Sequence, residues 1–340
     1  MKFQGKTYSK DEIKKYIGDV SQIGGAKPYM LTDGRADGVK AIDCNTGSGL
    51  EFTILPDRCL DIAWASYKGQ SLTHISKTGI VSSKYYEETG DHWFRSWFSG
   101  LLSTCGLRNT GAECTVGGEH FGQHGRIGNI PAEGVCITET WEKDELYFEI
   151  TGKMREAVFY GENLWLKRCI RFCIGEPRIR IVDKVINDGY RREPLFLLYH
   201  TNYGFPLIDE NAKSSIESKG IRYFDEYAEK GAATYKELEK PAHGYVRQVF
   251  FHEIDRSEKY ASVSILNNTL SDFKGLRLTW NTDELPELFQ FKMMGETDYQ
   301  LSFEPSNCLP MGRQAEQEEG RLKFIEPGEE KTFELEFEIL

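Results

Sequence analysis

Apolar and polar positions alternate over short spans through most of the chain. Segments 38–44, 50–55, 60–65 and 71–75 are rich in Ile, Leu, Val, Phe and Trp. Turn formers separate them: Asn45-Thr46-Gly47-Ser48-Gly49, Pro56-Asp57 and Lys68-Gly69. Successive side chains of an extended chain point to opposite faces, so this pattern predicts half-buried strands. The same texture returns at 136–141, 146–151, 164–174, 178–186, 195–199, 246–251, 261–267, 275–280, 288–292, 299–304 and 331–338. Segment 178–186 alternates without a break and stops at the turn Asn187-Asp188-Gly189. Short strands punctuated about every ten residues are the signature of a sandwich or barrel. One helix is predicted: Ser9-Lys10-Asp11-Glu12 fits a capping box, with Ile13, Tyr16 and Ile17 at helical spacing behind it. No long amphipathic helix and no internal repeat accompanies it. The expected fold is all-β, with two large, mostly antiparallel sheets packed face to face and a short N-terminal helix. Residues 1–37 read as the helix and an arm, and 38–340 as a single sandwich domain. The polar stretch 209–244 could mark a domain boundary, but in a sandwich it fits better as a long surface excursion.

Composition narrows the function. A chain of 340 residues buries enough surface to hold a core without staples. Asp and Glu number 53 against 42 Lys and Arg, a net charge of −11. That balance argues against a nucleic-acid backbone or an anionic membrane as partner. No apolar run approaches the ~20 residues that cross a bilayer. The start Met1-Lys2-Phe3-Gln4-Gly5-Lys6 has no apolar core behind it and does not read as a signal peptide. The eight cysteines are scattered and none forms a Cys-x-x-Cys pair. They are expected to be reduced thiols of a cytoplasmic protein, packed as small hydrophobes.

Several catalytic signatures are missing. The sequence has no phosphate-binding loop ending in Lys-Ser/Thr, no dinucleotide fingerprint opening a helix, and no Gly-x-Ser-x-Gly. His120 and His124 have the spacing of two zinc ligands on one helical turn. Gly122 and Gly125 disfavour a helix there, and no Glu follows His120, so no metal is expected.

Four polar islands remain. Arg58, in Pro56-Asp57-Arg58-Cys59-Leu60-Asp61, is either part of a solvated turn or a fork of five donors at a cleft mouth. The Gly-rich run Ser99-Gly100-Leu101-Leu102-Ser103-Thr104-Cys105-Gly106, with Gln123-His124-Gly125-Arg126 after it, suits close approach to a polar ligand. His200 follows an apolar strand, where it is either a satisfied core histidine or a functional one. Glu304 ends an apolar strand that Pro305 is expected to stop. If it points inward, it is a candidate general base.

Taken in order, the islands bring out a resemblance. His124-Gly125, then Tyr199-His200-Thr201-Asn202-Tyr203, then Leu301-Ser302-Phe303-Glu304-Pro305 match the galactose mutarotase (aldose 1-epimerase) superfamily in order and spacing. With Pro56-Asp57-Arg58-x-Leu60-Asp61-Ile62, Leu102-x-Thr104-Cys105-Gly106-Leu107 and Glu304-Pro305-x-Asn307, the chain resembles a bacterial branch of that superfamily whose members are largely of unknown function. The resemblance runs from about Gly38 to Leu340 and implies a β supersandwich. In mutarotases a Glu takes the proton of the anomeric hydroxyl and a His protonates the ring oxygen, so the resemblance makes Glu304 the base and His200 the acid. A carboxylate nearby would favour protonated His. His124 matches a second His that helps hold the ring oxygen. Arg58, Arg126 and Lys292 are candidates for gripping sugar oxygens or an acidic substituent, and Asn202 and Asn307 for binding substrate. The superfamily's hydroxyl-binding Asp has no clear match; Asp209 and Asp225 lie in the right interval. Gln123-His124-Gly125 after a Gly-rich stretch resembles the superfamily's hexose-6-phosphate epimerase branch, but the Arg residues and the Pro-Gln-Phe-Gly pattern with which that branch binds phosphate are missing.

The resemblance implies an isomerase acting at the anomeric carbon of an aldose or derivative, with no metal or cofactor and a small carbohydrate as its only partner class. Open edge strands are compatible with a homodimer. Two alternatives stand beside it: the same pair acting on a carbon-bound proton, as in a keto-sugar isomerase, epimerase or lyase, and a carbohydrate-binding protein without turnover.

Overall fold

Two large antiparallel sheets build the protein, as the alternation predicts. The computed structural model describes residues 1–340 except for the Asp91 side chain, with 47% of residues in strands and 10% in helices. The larger sheet has eleven strands. Ten of them run in the order Ile221–Tyr223, Gln248–His252, Glu287–Gly295, Asp298–Ser306, Phe196–Tyr203, Leu102–Leu107, Asp61–Tyr67, Leu50–Leu55, Lys40–Asn45 and Gly25–Met30. The eight-stranded sheet runs Glu133–Glu142, Glu145–Ala157, Asn163–Cys173, Arg178–Asn187, Glu330–Ile339, Gly275–Asn281, Tyr260–Leu266 and Lys213–Ile216.

The core lies between the sheets. Ile179 pairs with Phe337 and Ile181 with Leu335, which puts one apolar row on the inner face of the smaller sheet. Leu197, Tyr199, Tyr203, Leu301 and Phe303 of the larger sheet join the same core. Each such side chain contributes about 1.5–3 kcal/mol on burial. A buried ionic cluster also sits in this layer. Arg168 is fully buried, donating to Asp183 at 2.6 and 2.9 Å, to Asp61 at 2.7 Å and to Thr104 at 2.8 Å. Tyr199 donates to the same Asp183 at 2.7 Å. The Asp61 and Thr104 motif residues are thus clamps between the sheets.

The predicted helix forms over Lys10–Ile13 with its capping box: the Glu12 amide donates to Ser9 Oγ and the Ser9 amide to the Glu12 carboxylate. The 209–244 stretch is a surface excursion that crosses between the sheets. Its Lys213–Ile216 strand extends one sheet edge and its Ile221–Tyr223 strand the other. Pro305 does not end its strand: it pairs with Leu288, and the ladder closes one residue later at Ser306, where a missing N–H removes at most one bond. All eight cysteines are free, and burial pushes the Cys59 and Cys105 thiols far up, leaving them inert.

Both faces of the central Phe196–Tyr203 strand are buried. Odd-numbered side chains enter the inter-sheet core. The even-numbered ones face outward, under a cover of loops, and there the polar islands converge.

Candidate active site

Strand register brings the central pair together. Thr201 lies opposite Phe303 and Leu198 opposite Ser306, so His200 faces Glu304 across the ladder, on the outer face of the larger sheet. His200 Nε2 is 3.3 Å from Glu304 Oε1, and both side chains are only 7% exposed. Cys105, Leu198 and Phe289 form an apolar patch beside them. Burial therefore controls both titrations. It pushes Glu304 up to about 8 and draws His200 down to about 3, with the neighbouring His124 adding to the second shift. At neutral pH the pair holds one proton, and burial favours its residence on Glu304. The expected bias toward an imidazolium beside a carboxylate is reversed, because the pair is buried in apolar surroundings where two charges cost more than none.

His124 joins them from a loop. Its ring centroid is 6.0 Å from that of His200 and 4.8 Å from that of Trp93, and burial lowers it to about 4. The loop reaches this place through two consecutive left-handed residues, His124 at φ 56° and Gly125 at φ 68°. A Cβ on Gly125 would stand 2.1 Å from the Gly106 carbonyl oxygen, so only glycine permits the approach. His74 is the fourth polar group of the site. It contacts Ser99 Oγ at 2.9 Å and burial lowers it to about 4.

A cleft of about 550 Å³ lies behind Trp97 and Phe291, lined by these two with His74, Met293 and Gln300 among others, while Glu304 and His200 themselves are not in its lining. Trp97 and Phe291 lie against the His200 ring, with centroids at 5.1 and 6.3 Å. Trp97 Nε1 and His200 Nδ1 are buried polar atoms with no partner among the described residues. Such atoms are costly unless a ligand or water meets them. Aromatic walls with a few unpaired polar groups suit a small polar molecule with apolar faces.

The other sequence candidates are engaged elsewhere. Arg58 is buried beneath the loops, where it donates to the carbonyls of Val81 at 2.7 Å and of Ser96 and Gly128 at 3.0 Å. It lies over the Phe98 ring, and burial lowers it to about 10. It fastens three loops around the cleft and is neither a surface turn nor a grip on substrate. Arg126 pairs with both oxygens of Glu88. Lys292 pairs with Leu301 in the ladder, which puts it on the opposite face of the sheet from Glu304. There it is fully buried and meets Glu239 at 2.8 Å. Asn202 uses its whole amide: it donates to Gly100 and His200 carbonyls, and accepts from Gln300 and Ser302. Asn307 accepts from the Leu197 amide and donates to the Leu195 carbonyl. These two amides hold strands and neighbours in place. Asp209 accepts from Asn267 at 3.0 Å; Asp225 caps the helix Glu226–Lys230 and pairs with Arg247 at 3.0 Å. His120 reaches toward Glu113 at 3.8 Å, and no group of three potential metal ligands forms among the described residues.

Sequence reasoning missed His74, Phe291 and Gln300. His74 had a local signal, a histidine in a short predicted strand, and so had Gln300, four residues before Glu304 on one strand and hence on its face. Phe291 declares itself only through pairing with that strand.

The profile of a family described as "Domain of unknown function (DUF4432)" matches residues 36–339. No curated protein matches the sequence. Among solved structures, a Klebsiella pneumoniae protein provisionally named an aldose 1-epimerase superposes with a TM-score of 0.87 at 22% identity, covering 98% of this chain and 86% of its own. A galactose mutarotase-like protein of Clostridium acetobutylicum gives 0.62 at 14% identity, covering 94% and 99%. A galactose 1-epimerase of Lactobacillus acidophilus gives 0.54 at 12%, covering 93% and 98%. The fold is that of the galactose mutarotase-like proteins.

Proposed function

This chain belongs to the DUF4432 family, and we propose that it is an isomerase of the aldose 1-epimerase type, opening and reclosing the hemiacetal ring of an aldose or derivative. The observation that carries the reading is the Glu304–His200 pair at 3.3 Å beside an aromatic cleft. The names of the structural relatives support it.

Ring opening removes a proton from the anomeric hydroxyl and delivers one to the ring oxygen, with no net change. A pair sharing one proton meets that requirement. When the proton passes from Glu304 to His200, the carboxylate accepts the O1 proton and the imidazolium protonates the ring oxygen. The C1–O5 bond breaks, the carbonyl turns over, and the reverse transfers close the other anomer. In this reading His124, whose ring is 6.0 Å from that of His200, holds the ring oxygen, and Trp97 gives its face and its unpaired N–H to the sugar.

The test is NMR saturation exchange between α and β anomers in D₂O. Glu304→Gln and His200→Ala should each slow exchange by about 10²–10⁴ while sugar still binds. Normal exchange in either variant overturns the assignment. Deuterium appearing on carbon moves the pair to the isomerase or lyase chemistry, because anomerisation exchanges no C–H.

A further inference from the structure

The cations nominated from the sequence are tied up in the structure, yet the mouth of the cleft is basic. A second cavity of about 650 Å³ is lined by Arg35, Lys77, Thr78, Phe94 and Arg95. It shares Lys77, Thr78 and Phe94 with the cleft next to His200, so the two adjoin. Three cations and no carboxylate line the outer part among the described residues. Asp298, in the inner wall, meets Lys77 at 2.9 Å. The inner cleft adds Arg247, which is paired with Asp225, so the described lining of the two cavities holds Arg35, Lys77, Arg95 and Arg247 against the single carboxylate Asp298, in a protein whose net charge is −11.

The cations are placed by the backbone. Arg35 donates one guanidinium nitrogen to the Arg95 carbonyl at 3.0 Å and the other to the Thr78 carbonyl at 3.4 Å. That orients the fork and leaves further N–H groups for an anion. The loop bearing Lys77 is tied to the site: Ser76 and Thr78 hydroxyls donate to the Trp97 carbonyl at 2.7 and 2.9 Å, and the Trp97 ring packs on His200. Trp97 thus stands between the His200 ring and the cavity that adjoins this mouth.

We propose that the substrate carries a negative group, a carboxylate, phosphate or sulfonate, at the end remote from its anomeric carbon, and that Arg35, Lys77 and Arg95 bind it. The proposal rests on the anomerase reading for the orientation of the sugar, but the anion site itself can be tested without turnover.

The experiment measures binding by calorimetry and anomer exchange by NMR for glucuronate, glucose 6-phosphate, 6-deoxy-6-sulfoglucose and glucose. The same measurements are made on Arg95→Gln and on Arg35→Gln/Arg95→Gln. The anionic sugars should bind at least about ten-fold tighter than glucose, the scale of one charge-assisted hydrogen bond. Raising salt from about 0.05 to about 0.5 M should erode that preference. In the double variant the ratio of anionic to neutral kcat/KM should fall about ten-fold or more. Among the described residues the Arg95 side chain makes no hydrogen bond, and urea unfolding of each variant separates a loss of the anion site from a loss of fold. The strongest of the three anions identifies the group. Exchange of glucose as fast as of every anion, with equal binding, overturns the anion site and leaves the anomerase reading standing. Tight, salt-sensitive anion binding with no exchange of any sugar overturns the anomerase reading and keeps the site. Neither binding preference nor exchange overturns both.

Discussion

Replacing Glu304 by Gln should kill turnover and stabilise the protein, increasingly so as pH rises. Burial lifts the Glu304 carboxyl from its ordinary 4.5 to about 8. The folded state therefore holds a proton that the unfolded chain gives up, and stability falls as pH climbs between those two values. Linkage makes this cost about 1 kcal/mol near pH 5, about 3 kcal/mol near pH 7, and about 5 kcal/mol at its limit above pH 8. A glutamine has no proton to lose. The stability of Glu304→Gln relative to the native chain should thus grow by about 2 kcal/mol between about pH 5 and about pH 7. His200 works the other way: held near 3 when folded, it costs stability as pH falls below its ordinary 6.5. That cost is common to both chains and cancels in the comparison. The assay is urea unfolding followed by tryptophan fluorescence at each pH, with Gln chosen because it fits the same space. A stability difference that stays flat with pH would mean that Glu304 ionises like a surface carboxylate. The one-proton pair would then be wrong.

Activity should follow the same pair: kcat/KM stays level through neutral pH and falls about ten-fold per unit above about 8, where the pair loses its proton. A profile rising through pH 6–7 would contradict it. Arg168→Met leaves Asp61 and Asp183 buried without their cation, and should cost about 3–5 kcal/mol in urea unfolding. A loss below about 1 kcal/mol would show that the inter-sheet network is not a clamp. Lys292→Met should retain anomer exchange, since Lys292 lies on the far face of the sheet. Loss of exchange in a variant with native stability would return Lys292 to the site.

What could be read from the sequence follows from how far apart the partners lie. Strands were legible because alternation is local, and so were the capping box at Ser9 and the sides of the strands. The face of Lys292 was legible in principle. The hairpin closes at Glu296-Thr297 with Gly295 opposite Asp298, so counting back pairs Lys292 with Leu301 and excludes it from the row of Ser302 and Glu304. The same counting favours Phe291 and Met293 as cleft walls. Arg58 is different. Its three carbonyl partners come from loops 23, 38 and 70 residues away, and no periodicity announces such a clamp. Arg126 and Glu88, 38 residues apart, are hidden in the same way. The protonation of the pair was misjudged for a related reason. Proximity of Glu304 to His200 pointed to an ion pair, but the sign of the outcome depends on how completely loops from remote parts of the chain exclude water. Local pattern and the resemblance thus nominate Glu304 and His200 as the proposed acid–base pair, while the charge they carry is set by the burial that the covering loops impose.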